Sequence, residues 1–383
     1  MAAAATPPRV ALAVVLLAAG TSWNAGNIGP VTSTLSEDFS VSLTAVGLLS
    51  GTVFFAGIVV ATVLAPALGK RIGVAGAARR GCILCGAGNV LFAASPWFAG
   101  LVAGRALVGG GLGLALVLGP IFAREFGGVR LLGVFGAGVT LGMAAALGVG
   151  SVLEDAGVEW RVAFVLSAFV GVIAIPFLPA RMESGAPEQH TSGLLGSMLR
   201  SGGLWRVAIV YVGSFGVQLI VGAWLIHYLS EGDGMAISLA GLLAFVMFGV
   251  SATARDLGGA LSARGVSPVV LVGIAPLLAT LGLVMIGIDR SFAVALPAVL
   301  LMGIGFSTPY AVMMDEAQRL FPQQPLAPIT VLQLAANAIP MVVIPIVGAA
   351  LAAGNGEAAL IALAAFCGIG GVANFRPAVA QRE

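Results

Sequence analysis

The chain has 383 residues, of which 59% are hydrophobic and 9% are charged, and its mean hydropathy is +1.07. A water-soluble domain of this length needs far more charge on its surface, so the composition excludes one and makes lipid the solvent of this fold. The formal net charge of +2 is too small to indicate a nucleic-acid partner.

Apolar stretches long enough for a helix that crosses a bilayer, which needs about 20 residues, follow one another along the whole chain. We count twelve, at residues 10–33, 44–66, 80–97, 98–122, 131–152, 162–180, 206–229, 238–261, 268–288, 291–313, 326–350 and 357–375. The sequence therefore predicts an all-α membrane protein with twelve transmembrane helices.

The first stretch also fits a secretory signal peptide, because Arg9 precedes an apolar run from Val10 to Ala19. The apolar character continues through Ile28 and Val31, however, and removal of the stretch would leave an odd number of spans. We therefore interpret it as the first helix.

Nearly all Lys and Arg residues outside the stretches fall in every second gap between them. With a cytoplasmic N-terminus, the opposite side holds only Arg161 and Arg290. The cytoplasmic side holds Arg9, Lys70, Arg71, Arg79, Arg80, Arg124, Arg130, Arg181, Arg200, Arg206, Arg264, Arg319, Arg376 and Arg382. Because cytoplasmic loops carry the excess of positive charge, we expect a multi-pass protein of the cytoplasmic (inner) membrane with both termini cytoplasmic.

The longest polar interruption, from Arg181 to Arg206, divides the stretches into two sets of six. It predicts a first six-helix half over residues 1–180, a cytoplasmic linker over 181–205 and a second six-helix half over 206–383. An internal repeat supports this division, because the tripeptide Gly-Leu-Leu opens the second stretch at Gly47 and the eighth at Gly241.

Two sequence motifs occur in the first set of six stretches, and one of them is repeated in the second set. The fourth stretch contains Leu101-x-x-x-Arg105-x-x-x-Gly109-x-Gly111, and the loop after the second stretch, from Leu68 to Gly73, has an echo from Gly259 to Arg264. These motifs resemble the fourth-helix motif and the gating loop of the major facilitator superfamily, and the resemblance covers essentially the whole chain. It implies two six-helix halves that rock around a central site, with Arg105, Arg71 and Arg264 in coupling or gating.

A narrower resemblance lies in the eighth stretch. The segment from Ala254 to Ser262 is similar to that of the nitrate/nitrite porters, and the segment from Asn24 to Pro30 is similar to that of the cyanate transporter group. In those porters the arginine that matches Arg255 binds the anion, so the resemblance implies a small anion as substrate. Phe55 stands at the place of their partner arginine, and their Asn-containing glycine motif in the fifth helix is missing.

Arg255 and Asp256 lie inside an apolar stretch, where a charged side chain costs about 2.5 to 3.5 kcal/mol and usually faces a partner or a wet cavity. We expect Arg255 to bind the anion with its planar guanidinium; the alternative is that it extends to the nearer membrane surface. Adjacent residues on a helix point in different directions, so Asp256 cannot simply neutralise Arg255. Asp256 is the predicted proton-coupling residue, with a structural contact to a neighbouring helix or loop as the alternative.

The superfamily lines its cavity with the first, fourth, seventh and tenth helices. By resemblance, Asn27, Gln218 and Tyr310 are predicted substrate contacts, and hydrogen bonds between helices are the competing explanation for each. We expect no enzyme activity, no cofactor and no metal, because the sequence shows neither a paired nucleophile and base nor a complete set of His and Cys ligands.

The sequence as a whole predicts a secondary active transporter that moves a small solute, with a small inorganic or organic anion as the favoured class. Its partners are this substrate, the lipid bilayer and a proton as the candidate coupling ion. One alternative is a drug/proton antiporter that exports amphipathic compounds. A remoter alternative is a non-transporting membrane receptor or scaffold, which would not need charges inside the membrane.

Overall fold

The computed structural model describes residues 8–179, 195–231, 234–322 and 326–372. Within these ranges the chain consists of helices and short connections, and it contains no strand. Arg376 and Arg382 lie outside the described ranges. Residues 181–194 of the predicted linker also lie outside them. The rest of that segment contains a short helix, Leu195–Arg200, and the start of the next long helix at Gly202.

Twelve long helices account for most of the described chain. They are α1 (Pro8–Asp38), α2 (Leu43–Ile72), α3 (Val74–Ala94), α4 (Phe98–Gly128), α5 (Arg130–Asp155), α6 (Trp160–Phe177), α7 (Gly202–Ser230), α8 (Ile237–Ala263), α9 (Pro268–Ile288), α10 (Phe292–Leu320), α11 (Ala327–Ala352) and α12 (Gly356–Val372). We refer to α1–α6 as the first half and to α7–α12 as the second half.

Ten of these helices are long and apolar enough to span a membrane. The other two are α12, an apolar helix of 17 residues, and α3, which carries Arg79, Arg80 and Asn89. The prediction of an all-α protein with twelve transmembrane helices is confirmed. The predicted start of α3 at residue 80 is wrong, because Gly73 adopts a positive φ of 76° and lets α3 begin directly after α2.

Several helices are interrupted where polar or aromatic side chains enter the bundle. In α1 the regular helix ends at Ser22 and resumes at Thr32, so Asn24 and Asn27 lie in irregular backbone rather than on the continuous helix that we expected. Gly26 in this break packs closely on α5, since a Cβ there would lie 2.6 Å from the carbonyl oxygen of Met143. In α10, Thr308 and Pro309 separate two helical pieces.

The predicted repeat has a structural counterpart at one end of the bundle. A Cβ on Gly47 of α2 would lie 2.9 Å from Cα of Pro345 in α11, and a Cβ on Gly241 of α8 would lie 2.2 Å from the Ser151 side chain in α5. Gly47 and Gly241 are separated by the same number of residues as Ser151 and Pro345. The halves therefore meet through equivalent pairs of helices, while the exact domain boundaries stay a prediction.

The two ends of the bundle differ in how the halves meet. At the end that carries Arg9, Arg71 and Arg264, which we call the basic end, one apolar cluster contains only residues of the first half and another only residues from Met198 onward. At the opposite end, which we call the closed end, a single cluster joins both halves. Hydrogen bonds also cross the closed end, from Ser238 to Asp155 (2.6 Å) and between Ser33 and His227 (3.0 Å). The bundle is therefore closed at one end and separated at the basic end.

Candidate functional site

Arg255 lies on α8 among aromatic side chains of the second half. Its guanidinium carbon is 5.1 Å from the ring centre of Phe215 on α7 and 4.6 Å from that of Tyr310 on α10. Such contacts stabilise a cation by about 0.5 to 2 kcal/mol, but they do not neutralise its charge. The structure therefore brings together two of the predicted site residues, Arg255 and Tyr310.

Local backbone irregularities place these rings. Phe215 belongs to a wide helical turn, Val212–Gly216, and Tyr310 is the first residue after the break in α10. Wide turns of this kind occur often at functional sites. Gly258, one turn beyond Arg255, lets α8 approach this break, since a Cβ there would lie 2.1 Å from the carbonyl oxygen of Thr308.

Two further side chains complete this group, which we call the Arg255 cluster: Arg255, Tyr211, Phe215, Tyr310 and Gln333. Tyr211 stacks on Phe215, with ring centres 5.5 Å apart, and its hydroxyl donates to Oε1 of Gln333 on α11 at 2.9 Å. Four helices of the second half thus contribute to one site.

The charge of Arg255 has no acidic partner within the described ranges. No ion pair there joins it to a carboxylate, and its buried Nε has no hydrogen-bond acceptor. The rings lie against the guanidinium, so its N–H donors remain for a ligand. An anion would supply both the missing charge and the missing acceptors.

Arg105 lies on α4 in a different environment and is only 1% exposed. Its guanidinium carbon is 4.0 Å from the ring centre of Phe54, and Nη1 donates to Oδ1 of Asn27 at 3.1 Å. Asn27 donates to Oδ1 of Asn89 at 3.3 Å, and Asn89 donates to Oδ1 of Asn24 at 2.6 Å. We call Arg105, Phe54, Asn24, Asn27 and Asn89 the Arg105 cluster.

The residues predicted to contact substrate do not form a single group. Asn27 belongs to the Arg105 cluster, whereas Gln218 is fully buried and donates to Oγ of Ser251 at 2.7 Å, one turn from Arg255 on α8. The predicted contacts thus divide between the two halves, and their roles stay predictions.

The remaining predicted residues lie at exposed positions. Asp256 is exposed, and its role in proton coupling stays a prediction. Arg71 is exposed at the end of an apolar groove of about 780 Å³ that is lined mainly by α2 and α4. Arg264 is exposed just after α8. No described contact links these residues to either cluster, so gating by Arg71 and Arg264 also stays a prediction.

Sequence reasoning did not single out Tyr211, Phe215 or Asn89. Aromatic residues in an apolar stretch carry no periodic signal that distinguishes a site from lipid contact. Asn89 did carry a signal, because it is a polar amide in the interior of α3.

These features define a multi-pass integral membrane protein whose two helical halves meet at one end and hold two arginine side chains between helices, as in membrane transporters. The family model described as Major Facilitator Superfamily matches residues 12–345, and the chain belongs to this superfamily. It is therefore a membrane transporter by family. The sequence has no significant match among curated proteins.

Solved structures share the fold across nearly the whole chain. A D-xylose–proton symporter superposes with a TM-score of 0.80 at 15% identity, covering 96% of this chain and 97% of its own. A bacterial homologue of the human lysosomal transporter Spinster, inward-facing and unoccupied, gives 0.78 at 16% identity, with 97% of both chains covered. The xylose transporter XylE from E. coli, inward-open, gives 0.76 at 14% identity, covering 97% of this chain and 96% of its own. At these identities the likeness shows the fold and leaves the substrate open.

Proposed function

We propose that this protein is a secondary active transporter that moves a small anion across the cytoplasmic membrane by alternating access, and that Arg255 binds the anion. The observation that carries the proposal is the guanidinium of Arg255, which lies against two aromatic rings without an acidic partner among the described residues. A charge left unpaired inside a membrane protein is costly, and residues that carry this cost commonly mark a substrate pathway.

The charge of the site favours an anion over the neutral substrates of some structural neighbours. The named substrate of two neighbours is xylose, a neutral sugar that would leave the charge of Arg255 uncompensated. An anion would be attracted by this charge and would accept hydrogen bonds from the free N–H groups. The hydrogen bond from Tyr211 to Gln333 positions two further polar side chains of the Arg255 cluster, on α7 and α11.

The arrangement of the halves supports a transport cycle. The Arg255 cluster belongs to helices whose basic ends are separated from the first half, whereas the closed end is sealed by contacts between halves. We propose that the basic end faces the cytoplasm, with both termini there, as the placement of Arg and Lys indicates. Rocking of the halves about the site would then expose it to each side in turn.

Coupling and gating complete the proposal. Asp256 is the candidate proton site, while Arg71 and Arg264 lie at the basic ends of α2 and α8, where the halves would close together when the opposite end opens. Their positions at the ends of corresponding helices support a related role in the two halves.

The experiment is thermal unfolding of the detergent-purified protein with the sodium salts of nitrate, acetate and phosphate, and with tetraphenylphosphonium as a lipophilic cation. A ligand at 100 times its Kd adds about 2.7 kcal/mol of stability, so a true ligand gives a clear rise in the unfolding midpoint. We expect at least one anion to stabilise the protein and Arg255→Gln to abolish that effect.

The matched control is Arg124→Gln, which removes the same charge from an exposed position on α4 and should leave anion stabilisation intact. Equal anion stabilisation in Arg255→Gln and in the parent would refute the assignment of the site. Stabilisation by tetraphenylphosphonium alone would favour an exporter of amphipathic compounds.

A further inference from the structure

The Arg105 cluster holds a second unneutralised cation. Arg105 is 1% exposed, and of its guanidinium nitrogens only Nη1 has a hydrogen-bond acceptor among the described residues. Its Nε and Nη2 are buried and have no acceptor there. Amide groups carry no net charge, so the asparagines orient the guanidinium without neutralising it.

The two free nitrogens are on the same edge of the guanidinium. Nε and Nη2 form the side of the planar group that binds a carboxylate with two parallel hydrogen bonds. The opposite nitrogen, Nη1, is the one that Asn27 occupies. The hydrogen bonds of the cluster therefore leave free the edge that suits a planar oxyanion.

The asparagines hold this arrangement rigidly. Asn89 donates both to Asn24 at 2.6 Å and to the carbonyl oxygen of Cys85 at 2.8 Å, so its Oδ1 is directed to Asn27. This contact in turn directs Oδ1 of Asn27 to Arg105. A buried polar network of this kind specifies one orientation for each member.

Contacts between the halves lie beside Phe54, the aromatic member of the Arg105 cluster. Phe54, beneath the guanidinium, belongs to the apolar cluster that also contains Val217 of α7 and Ile344 of α11. Gly51, one turn before Phe54, packs on Ile344 as well, with a Cβ–Cβ separation of 2.8 Å if a side chain were present. Separation of the halves at the closed end would remove these contacts.

We propose that Arg105, oriented by Asn27 and Asn89, is a second anion-binding site for a carboxylate or another planar oxyanion, reached from the end that is closed in this structure. The inference rests on the proposed function, because it requires alternating access. It differs from coupling or gating by Arg105, because it places the guanidinium in direct contact with the ligand. An anion would bind Arg105 when the closed end opens and Arg255 when the basic end opens.

The test opens the closed end with a wedge. Gly241→Trp places a bulky ring where a Cβ would already lie 2.2 Å from the Ser151 side chain. The wedge is combined with Arg255→Gln to remove the first site, and acetate binding is measured by thermal unfolding, with sodium chloride at equal ionic strength as the reference. We expect acetate to raise the unfolding midpoint of this double variant but not that of Arg255→Gln alone.

Adding Arg105→Gln to the double variant should weaken acetate binding about tenfold or more, and Arg105→Lys should also weaken it because lysine lacks the planar fork. If the Gly241→Trp protein does not fold, Gly47→Trp provides the equivalent wedge against Pro345. The proposal is overturned if neither wedge produces acetate binding, if chloride stabilises equally, or if Arg105→Gln leaves binding unchanged. Whether Arg255 binds an anion is tested separately, in the protein without a tryptophan substitution.

Discussion

The two arginine clusters place the same charged group in contrasting surroundings. Arg255 is partly buried in an aromatic cluster near the separated basic ends of α7, α8, α10 and α11. Arg105 is fully buried, rests on one ring and is oriented by an array of three asparagines. Neither has a carboxylate partner within the described chain.

The contrast lies in how deeply each cation is buried and in which contacts between the halves lie near it. Arg255 lies on a helix whose basic end is apart from the first half, whereas Phe54, the ring beside Arg105, belongs to the apolar cluster that joins the halves. Under the two proposals above, the conformation rather than the residue type would decide which guanidinium a ligand can reach. Experiments that change one cluster at a time can test this difference.

The largest expected effect is on the free energy of unfolding, at two glycines where helices pack closely beside the two clusters. A Cβ on Gly109 would lie 2.1 Å from the carbonyl oxygen of Phe54, and a Cβ on Gly258 would lie 2.1 Å from that of Thr308. The neighbouring backbone must shift to make room for a methyl group, and such a shift is costly. We therefore expect Gly109→Ala and Gly258→Ala each to reduce the free energy of unfolding by about 3 kcal/mol. Thermal unfolding in detergent measures this loss.

Neighbouring glycines on the same helices provide the controls. A Cβ on Gly110 would lie 4.0 Å from the Leu84 side chain, and a Cβ on Gly259 would lie 3.5 Å from that of Ala311. Alanine at these positions should leave stability unchanged or raise it by about 0.5 to 1 kcal/mol, as expected for glycine replacement inside a helix. Equal effects at all four glycines would contradict the close contacts.

A smaller effect on the free energy of unfolding is expected from the asparagines of the Arg105 cluster. Asn27→Ala removes the acceptor of Arg105, and we expect a loss of about 2 kcal/mol because a buried charged donor then has no partner. In an Arg105→Met background the same change should cost less, since the donor is gone. A double-mutant cycle measures the coupling, expected at about 1 kcal/mol, and additive losses would show that the hydrogen bond contributes nothing.

The smallest effect is expected from the rings around Arg255. Phe215→Leu should weaken anion binding about fivefold, equivalent to about 1 kcal/mol, because the guanidinium loses one of the two rings that hold it in position. Tyr310→Phe keeps the ring and should leave the affinity unchanged. Affinities come from titration of the anion identified by thermal unfolding, and a stronger effect of Tyr310→Phe would show that the hydroxyl, not the ring, matters.

Much of the architecture could be predicted from the sequence. Lipid requires every backbone group to be satisfied within the protein, so long apolar runs define helices directly, and their number and order followed from hydropathy alone. The internal repeat could also be predicted from the sequence. Glycines that let helix backbones pack closely occupy corresponding positions in the two halves, here Gly47 and Gly241. Arg255 and Arg105 stood out because charge is rare and costly in such runs.

Which residues surround each arginine was decided only by the tertiary structure. Asn27 and Asn89 are 62 positions apart yet share a hydrogen bond, and Phe215 and Tyr310 meet over Arg255 from separate helices. Hydropathy constrains a helix to the membrane but leaves its rotation, its breaks and its neighbours to side-chain packing. The sequence by itself determined twelve helices and two intramembrane cations, whereas packing between helices decided that Arg105 is fully buried and Arg255 only partly.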